Sequence, residues 1–161
     1  MTGRVWAALA AAGSGALLLG ALAFQYIGGL APCPMCLYQR WPHLAAVIVG
    51  AVALAMPRPW LMRIGALGPL TSAAIGIFHT GVERKWWEGP ASCTGAGNAL
   101  SGLSGADLLS TDAPVHLVMC DQVAWSMWGL SMASWNAILS LVLVAVWLIA
   151  ARASAKPRVL L

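Results

Sequence analysis

Four long runs of apolar residues, free of Lys, Arg, Asp and Glu, dominate the chain; they occupy 5–39, 41–57, 64–82 and 122–151. A helix needs roughly 17–25 apolar residues to cross a bilayer, and the runs lack the alternation of barrel strands. Lipid offers backbone N–H and C=O groups no hydrogen-bond partner. The pattern therefore predicts an all-α membrane protein, a four-transmembrane-helix bundle in one domain over 1–161, with spans near Val5–Ile27, Leu37–Met56, Ile64–Val82 and Trp125–Ala151.

The composition excludes other classes. Hydrophobic residues make up 60 % of the 161 residues and charged residues only 9 %, against about 25 % charged in soluble domains. A water-soluble globular domain and a disordered chain are both excluded. The net charge of +4 is spread over scattered basic residues, so it does not indicate binding of nucleic acid. The first run resembles a signal peptide but exceeds the usual apolar region of roughly 7–15 residues, so we expect it to be retained.

The flanking charges predict an orientation. One side has only basic residues: Arg4, Arg58, Arg63, Arg152, Lys156 and Arg158. The other side has Arg40, Arg84 and Lys85 together with all five acids: Glu83, Glu88, Asp107, Asp112 and Asp121. Because basic residues concentrate on the cytoplasmic side, we expect both termini on the cytoplasmic side of a bacterial inner membrane. The loops at 28–36 and 83–124 are then periplasmic.

The second loop is long and rich in Gly and Ser. Ser104 and Asp107 frame a capping pattern that precedes two leucines, which predicts a short helix. Its apolar side is suited to the membrane surface.

All four cysteines fall in these two loops. Cys33 and Cys36 form a Cys-Pro-Met-Cys motif, and Cys93 and Cys120 lie in the second loop. The periplasm is oxidising, so two structural disulfides, in any of three connectivities, are one interpretation. A CxxC bridge closes too small a ring to be a good staple but is a common redox pair, and a helix start stabilises its thiolate. Redox chemistry is the interpretation that these features favour.

Three further residues are candidates for the chemistry. Arg40 lies one helical turn after Cys36, on the same face, where it is either a snorkelling anchor or a fixed positive charge for an anion within the bilayer. His43 and His79 fall near the outer ends of spans two and three. They are either interfacial hydrogen-bonding residues or ligands of a b-type haem. Cys93 and Cys120 lack the second close spacing of a structural zinc site, so we predict no metal.

Several segments together resemble the disulfide bond formation protein B (DsbB) family. They are Pro-Cys-Pro-Met-Cys-Leu-Tyr-Gln-Arg over 32–40, Phe-His-Thr over 78–80, Trp-Trp-Glu-Gly-Pro before Cys93, and Cys-Asp at 120–121 followed by Trp125. The family often has an acid before the arginine, where this chain has Gln39.

The resemblance implies a membrane thiol oxidase that reoxidises a periplasmic thioredoxin-fold, DsbA-like donor and passes the electrons to the membrane quinone pool, ubiquinone or menaquinone. By matched position, Cys93 would form the mixed disulfide with the donor and Cys120 would resolve it toward Cys33. Cys36 and Arg40 would face the quinone. His79 matches a family histidine near the quinone. The alternatives are a haem b-binding electron carrier and a non-catalytic scaffold with two structural disulfides.

Overall fold

The computed structural model describes residues 2–90, 93 and 119–155. Their elements are α1 (Gly3–Tyr26), α2 (Pro34–Ala55), α3 (Pro59–Glu83), β1 (Ser126–Met127), β2 (Leu130–Ser131) and α4 (Met132–Ala155). The predicted all-helical membrane architecture is confirmed in this coarse sense. The short helix predicted near 104–109 lies outside the described residues.

The start of α2 is set by the CxxC motif. Cys33 is the N-cap, and its Sγ accepts a hydrogen bond from the backbone N–H of Cys36 at 3.3 Å. Pro34 takes the first helical position, where its missing N–H costs nothing. The helix therefore begins at Pro34, before the predicted span start at Leu37, and the motif lies at a helix start as the sequence predicts.

The start of α4 differs from the predicted span, which begins at Trp125. A two-stranded hairpin intervenes and pairs Ser126 with Ser131. Its turn residues, Trp128 and Gly129, have φ of 53° and 76°, as a two-residue type I′ turn requires. A tight turn with a tryptophan at its first position has no strong sequence signal, so the apolar run concealed it.

The four helices pack side by side, α1 against α2 and α4, and α3 against the same two helices. At one end the fully buried Trp147 packs among Ala7, Ala53 and Met62. A Cβ at Gly65 would lie 2.7 Å from the Trp147 ring. Small residues therefore allow the helices to approach closely around this ring.

Three of the helices in the described part of the chain, α1, α3 and α4, are long and apolar enough to cross a membrane. Large apolar side chains such as Leu19, Ile48 and Val142 point away from the bundle and are exposed. An exposed apolar face of this extent suits lipid rather than water. The chain is a multi-pass membrane protein.

Candidate active site

The bundle end opposite Trp147 gathers the cysteines. Cys33, Cys93 and Cys120 form a buried cluster with Met35 and Val82. Cys36 packs against the same cluster. The structure thus brings together two cysteine pairs that belong to different loops.

The two pairs differ in redox state. Cys93 and Cys120 form a disulfide with Cα atoms 5.1 Å apart, and the Cys120 N–H donates to the Cys93 carbonyl at 2.8 Å. Cys33 and Cys36 are free thiols. Of the disulfide bonds that the three connectivities allow, the structure contains only the one between Cys93 and Cys120. The alternative with two structural bridges does not describe this arrangement.

The end of α3 turns the chain back toward the cluster. The Trp86 N–H bonds the Gly81 carbonyl at 2.9 Å and the Lys85 N–H bonds the Val82 carbonyl at 3.1 Å. With φ of 59° at Lys85, this is a Schellman motif. Lys85 also pairs with Asp121, next to Cys120. The end of α3 therefore holds both the start of the second loop, through the Schellman motif, and the segment at Asp121, through the ion pair with Lys85.

Cys33 lies in an environment that favours its thiolate. Its Sγ is 3.0 Å from the Cys36 Sγ and 3.6 Å from the His79 Nε2. The hydrogen bond from the Cys36 thiol, together with that from His79, outweighs burial and lowers the pKa of Cys33 to about 4. A low thiol pKa makes a good leaving group and keeps the nucleophilic form populated.

Cys33 also lies beside the disulfide. The sulfurs of Cys33 and Cys120 and a ring nitrogen of His79 all lie within 4.8 Å of one another. Such a trio can hold a metal ion in principle, but the Cys120 sulfur is bonded to Cys93. The arrangement is suited instead to exchange between Cys33 and Cys120, because thiolate attack requires an adjacent disulfide sulfur.

Arg40 is held at the inner side of the motif. Its Nη1 donates to the Gln25 Oε1 at 2.6 Å and its Nη2 to the Ala21 carbonyl at 3.4 Å. Its buried Nε has no hydrogen-bond partner, and no carboxylate of the described residues pairs with it. A guanidinium without a carboxylate partner can bind an anionic or carbonyl ligand.

A cavity of about 410 Å³ lies beside Arg40. Its walls are mostly apolar and come from α1, α2, the hairpin with Trp125, and α4. Its polar lining comprises Cys36, Gln39, Arg40, His43 and Asn136. Cys33 and His79 line a smaller pocket of about 40 Å³, which also touches Cys36 and Arg40.

The two histidines predicted as alternative haem ligands line different cavities, His43 the larger and His79 the smaller. His43 Nε2 contacts Asn136 and Ser140. Both ring nitrogens of His79 have contacts, Nδ1 with Gln39 and Nε2 with Cys33. This arrangement offers no common space for a haem between them.

The sequence did not identify several polar residues of the interior. Gln39 and Ser72 are buried and Asn136 is half-buried; of the three, the sequence marks only Gln39, as a departure from the family pattern. Glu83, treated only as a loop acid, has a side chain 6 % exposed with its Oε1 3.9 Å from His79 Nε2. A polar residue in an apolar run, such as Asn136, is a signal for a functional position, and His79 and Glu83 share a helix face because they are four residues apart.

Comparison with known proteins agrees with these features. Residues 3–150 match the family described as disulfide bond formation protein DsbB. Disulfide bond formation protein B of Verminephrobacter eiseniae is 32 % identical over 140 residues, covering 81 % of this chain and 77 % of the relative. Disulfide bond formation protein B 2 of Pseudomonas aeruginosa is 31 % identical, covering 81 % and 79 %. Disulfide bond formation protein B of Shewanella frigidimarina is 27 % identical, covering 83 % of this chain and 80 % of the relative. No solved structure matches the chain significantly.

Proposed function

The chain belongs to the disulfide bond formation protein DsbB family, and on that premise we propose that it carries electrons from a periplasmic DsbA-like donor through four cysteines to a membrane quinone. Family membership makes it a membrane protein-disulfide oxidoreductase. The observation that carries the proposed route is the position of Cys33. Its sulfur lies within 4.8 Å of the Cys120 sulfur and 3.0 Å from Cys36, which lines the large cavity.

The first exchange takes place in the second loop. A thiolate of the reduced donor attacks the Cys93 sulfur, the Cys93–Cys120 bond breaks, and Cys120 leaves as a thiolate. Cys120 then attacks Cys33 in a Cys33–Cys36 disulfide, and Cys36 leaves as a thiolate. The electron pair has then moved from the donor to the sulfur that lines the cavity.

The second half of the proposed cycle restores the Cys93–Cys120 disulfide. The donor's second thiol displaces Cys93 and completes the donor's own disulfide. Cys93 then attacks Cys120 and releases Cys33, which leaves Cys33 and Cys36 reduced beside an intact Cys93–Cys120 bond. The structure has this combination of free and bonded cysteines. The cycle closes when Cys33 and Cys36 re-form their disulfide as two electrons and two protons leave.

The cavity fits a quinone head group. Its volume of about 410 Å³ lies within the range of about 300–1,000 Å³ for small-molecule sites, which pair apolar walls with a few polar groups. A quinone supplies the two-electron acceptor. Arg40, which lines the cavity, would bind an oxygen of the ring. His79 would donate a hydrogen bond to the Cys33 sulfur, which it faces. These features suit ubiquinone and menaquinone alike.

In the proposed topology all four helices, including α2, cross the bacterial inner membrane. The cysteine cluster is then periplasmic, and the Trp147 end and both termini are cytoplasmic. Support comes from the charges. The short connection between α2 and α3 contains Arg58, and Arg152 lies in the last turn of α4. Basic residues of this kind mark the cytoplasmic side.

Anaerobic mixing of the purified chain with a reduced DsbA-like protein and a soluble quinone tests the function. Quinol should form, as measured by its absorbance, in proportion to the donor disulfide formed. A chain with all four cysteines replaced by serine is the control and should produce no quinol. Donor oxidation without quinol formation would contradict the quinone assignment, and no donor oxidation would contradict the route.

A further inference from the structure

A chain of hydrogen-bonded polar side chains crosses the interior of the bundle. It contains Gln39 and His43 from α2, Ser72 and His79 from α3, and Asn136 from α4. Gln39, His43, Ser72 and His79 are all at least nine-tenths buried. Buried polar groups in a membrane protein are costly and usually functional, and a complete network fixes the direction of each bond.

The direction at Gln39 is set by a backbone carbonyl. The amide group of Gln39 that lies 3.3 Å from the Met35 carbonyl must be Nε2, because a carbonyl only accepts. The same Nε2 lies 3.0 Å from Nδ1 of His79. Nδ1 must therefore accept, and the proton of the neutral ring resides on Nε2. The acceptors near that nitrogen include the Cys33 sulfur at 3.6 Å and the Glu83 carboxylate at 3.9 Å, and the ring also donates to the backbone of Cys120.

The direction at Asn136 follows from two independent contacts. Gln39 Oε1 can only accept, so the Asn136 group 2.7 Å away is Nδ2. The same Nδ2 lies 3.0 Å from the Ser72 Oγ. Ser72 already donates its hydroxyl proton to the backbone carbonyl of Gln39 at 3.0 Å, so its Oγ accepts from Asn136. Both contacts give Asn136 the same orientation.

The last link is His43. Asn136 Oδ1 lies 3.3 Å from His43 Nε2 and must accept, so Nε2 bears the proton there as well. The Nδ1 of His43 then has an unprotonated lone pair, and this buried atom has no partner. His43 lines the large cavity.

We propose that Gln39 is a positioning residue that fixes the tautomers of both histidines. It makes His79 a hydrogen-bond donor to the Cys33 sulfur, and through Asn136 it places the proton of His43 on Nε2 and leaves Nδ1 as an acceptor. Without this constraint either nitrogen of a neutral imidazole can bear the proton. The opposite tautomer of His79 would turn a lone pair toward the Cys33 thiolate. The tautomers are a property of the chain, and only their use in catalysis rests on the proposed function.

Nitrogen-15 NMR of the histidine rings tests the proposal directly. The full chain, labelled at histidine and with His116→Gln to simplify the spectrum, is measured at alkaline pH, where both rings are neutral, without donor or quinone. His79→Phe and His43→Phe assign the signals. Both Nδ1 atoms should give unprotonated signals and both Nε2 atoms protonated ones. A protonated Nδ1 in either histidine would overturn the proposal.

A matched pair of variants tests whether Gln39 is responsible. Gln39→Glu replaces the donating amide with a carboxylate that only accepts, so a proton should appear on Nδ1 of His79. Gln25→Glu makes the same change on α1, where the side chain contacts Arg40 and neither histidine, and should leave both ring spectra unchanged. Gln39→Met, which neither donates nor accepts, should give a mixture of tautomers. An unaltered spectrum in Gln39→Glu and Gln39→Met would refute the role of Gln39. A quinone-inert chain with the expected spectrum would instead contradict only the proposed function.

Discussion

The Nε2 atom of His79 lies 3.6 Å from the Sγ atom of Cys33, so a ring on α3 supports the sulfur that caps α2. This contact links α3 to the start of α2. In the proposed function it also couples electron transfer through Cys33 to the protonation of the His79 ring.

Replacing His79 with Phe should raise the pKa of Cys33, because the donor that stabilises the thiolate is lost while the ring volume is kept. The wild-type pKa is lowered to about 4. A hydrogen bond to a charged group contributes about 1.5–3 kcal/mol, so the titration midpoint should rise by about one to two pH units. Thiolate absorbance between pH 3 and pH 8, in a chain with Cys93 and Cys120 replaced by alanine, measures it.

The Cys33 sulfur also interacts with Cys36 and Glu83, so the control must keep both of these residues. His43→Phe does so, because His43 does not contact Cys33, and it should leave the midpoint in place. Equal midpoints in His79→Phe and the wild type would show that the contact does not stabilise the thiolate.

Replacing Cys120 with Ser should trap the donor on the chain. Cys93 is then a free thiol, so its thiolate attacks the disulfide of an oxidised donor; the mixed disulfide forms and the donor's second cysteine leaves as a thiolate. Cys120, which would displace the donor from Cys93, is gone, so non-reducing electrophoresis with an oxidised donor should show a covalent adduct, which Cys93→Ser abolishes. Mass spectrometry that located the adduct on Cys36 would contradict the proposed order of exchange.

Replacing Arg40 with Gln should weaken the use of quinone while leaving the adduct at Cys93 intact. Losing one charge-assisted contact costs about 1.5–3 kcal/mol, or roughly 10- to 150-fold in kcat/KM if quinone reduction limits turnover. Quinone titrations, normalised to inserted protein, measure this loss. Arg40→Lys should restore it only in part, because an ammonium lacks the planar set of donors.

Gln25→Leu is the matched control, since it removes the side chain that holds Nη1 and keeps the guanidinium. It should raise the KM for quinone by less than Arg40→Gln does. Full restoration of function by Arg40→Lys would identify Arg40 as a membrane anchor rather than a ligand of the quinone.

The orientation can be tested with a membrane-impermeant thiol reagent. Cys33, Cys93 and Cys120 are buried, so the native cysteines are replaced by serine and single exposed cysteines report the orientation in intact spheroplasts. In such a chain, Glu88→Cys should be labelled and Met56→Cys should not; both wild-type side chains are exposed. Labelling of Met56→Cys before the membrane is opened would reverse the assigned orientation.

The sequence predicted the helical architecture because apolar runs in lipid have few alternatives. It also predicted the cysteine motif at a helix start, which Pro34 and the Cys33 cap explain. It did not predict the hairpin turn at Trp128, since nothing interrupts the apolar run there. The proximity of Cys33 to Cys120 is a tertiary contact between distant segments, and only the family resemblance suggested it.

The same limit applies to the polar network. Gln39, Ser72 and Asn136 come from three helices, and their bonds depend on how those helices are rotated about their axes. Single polar residues in apolar segments could be noticed in the sequence. Their partners could not, because helix rotation is set by packing such as that of Gly65 against Trp147.

The unprotonated Nδ1 inferred for His43 predicts a preference for the reduced ligand. His43 lines the cavity, and its buried Nδ1 can accept a hydrogen bond from a quinol hydroxyl when a bound ligand uncovers it, whereas a quinone carbonyl offers it no proton. His43→Phe should therefore weaken quinol binding by about 2- to 12-fold, the loss of one neutral hydrogen bond of about 0.5–1.5 kcal/mol, and should change quinone binding less. Dissociation constants for a soluble quinone and its quinol, obtained from quenching of tryptophan fluorescence, give the ratio. Ser140→Ala is the control, because it removes a contact of Nε2 and leaves Nδ1 unaltered. A larger loss for quinone than for quinol in His43→Phe would mean that Nδ1 donates in the cavity, and the inferred tautomer would then be wrong.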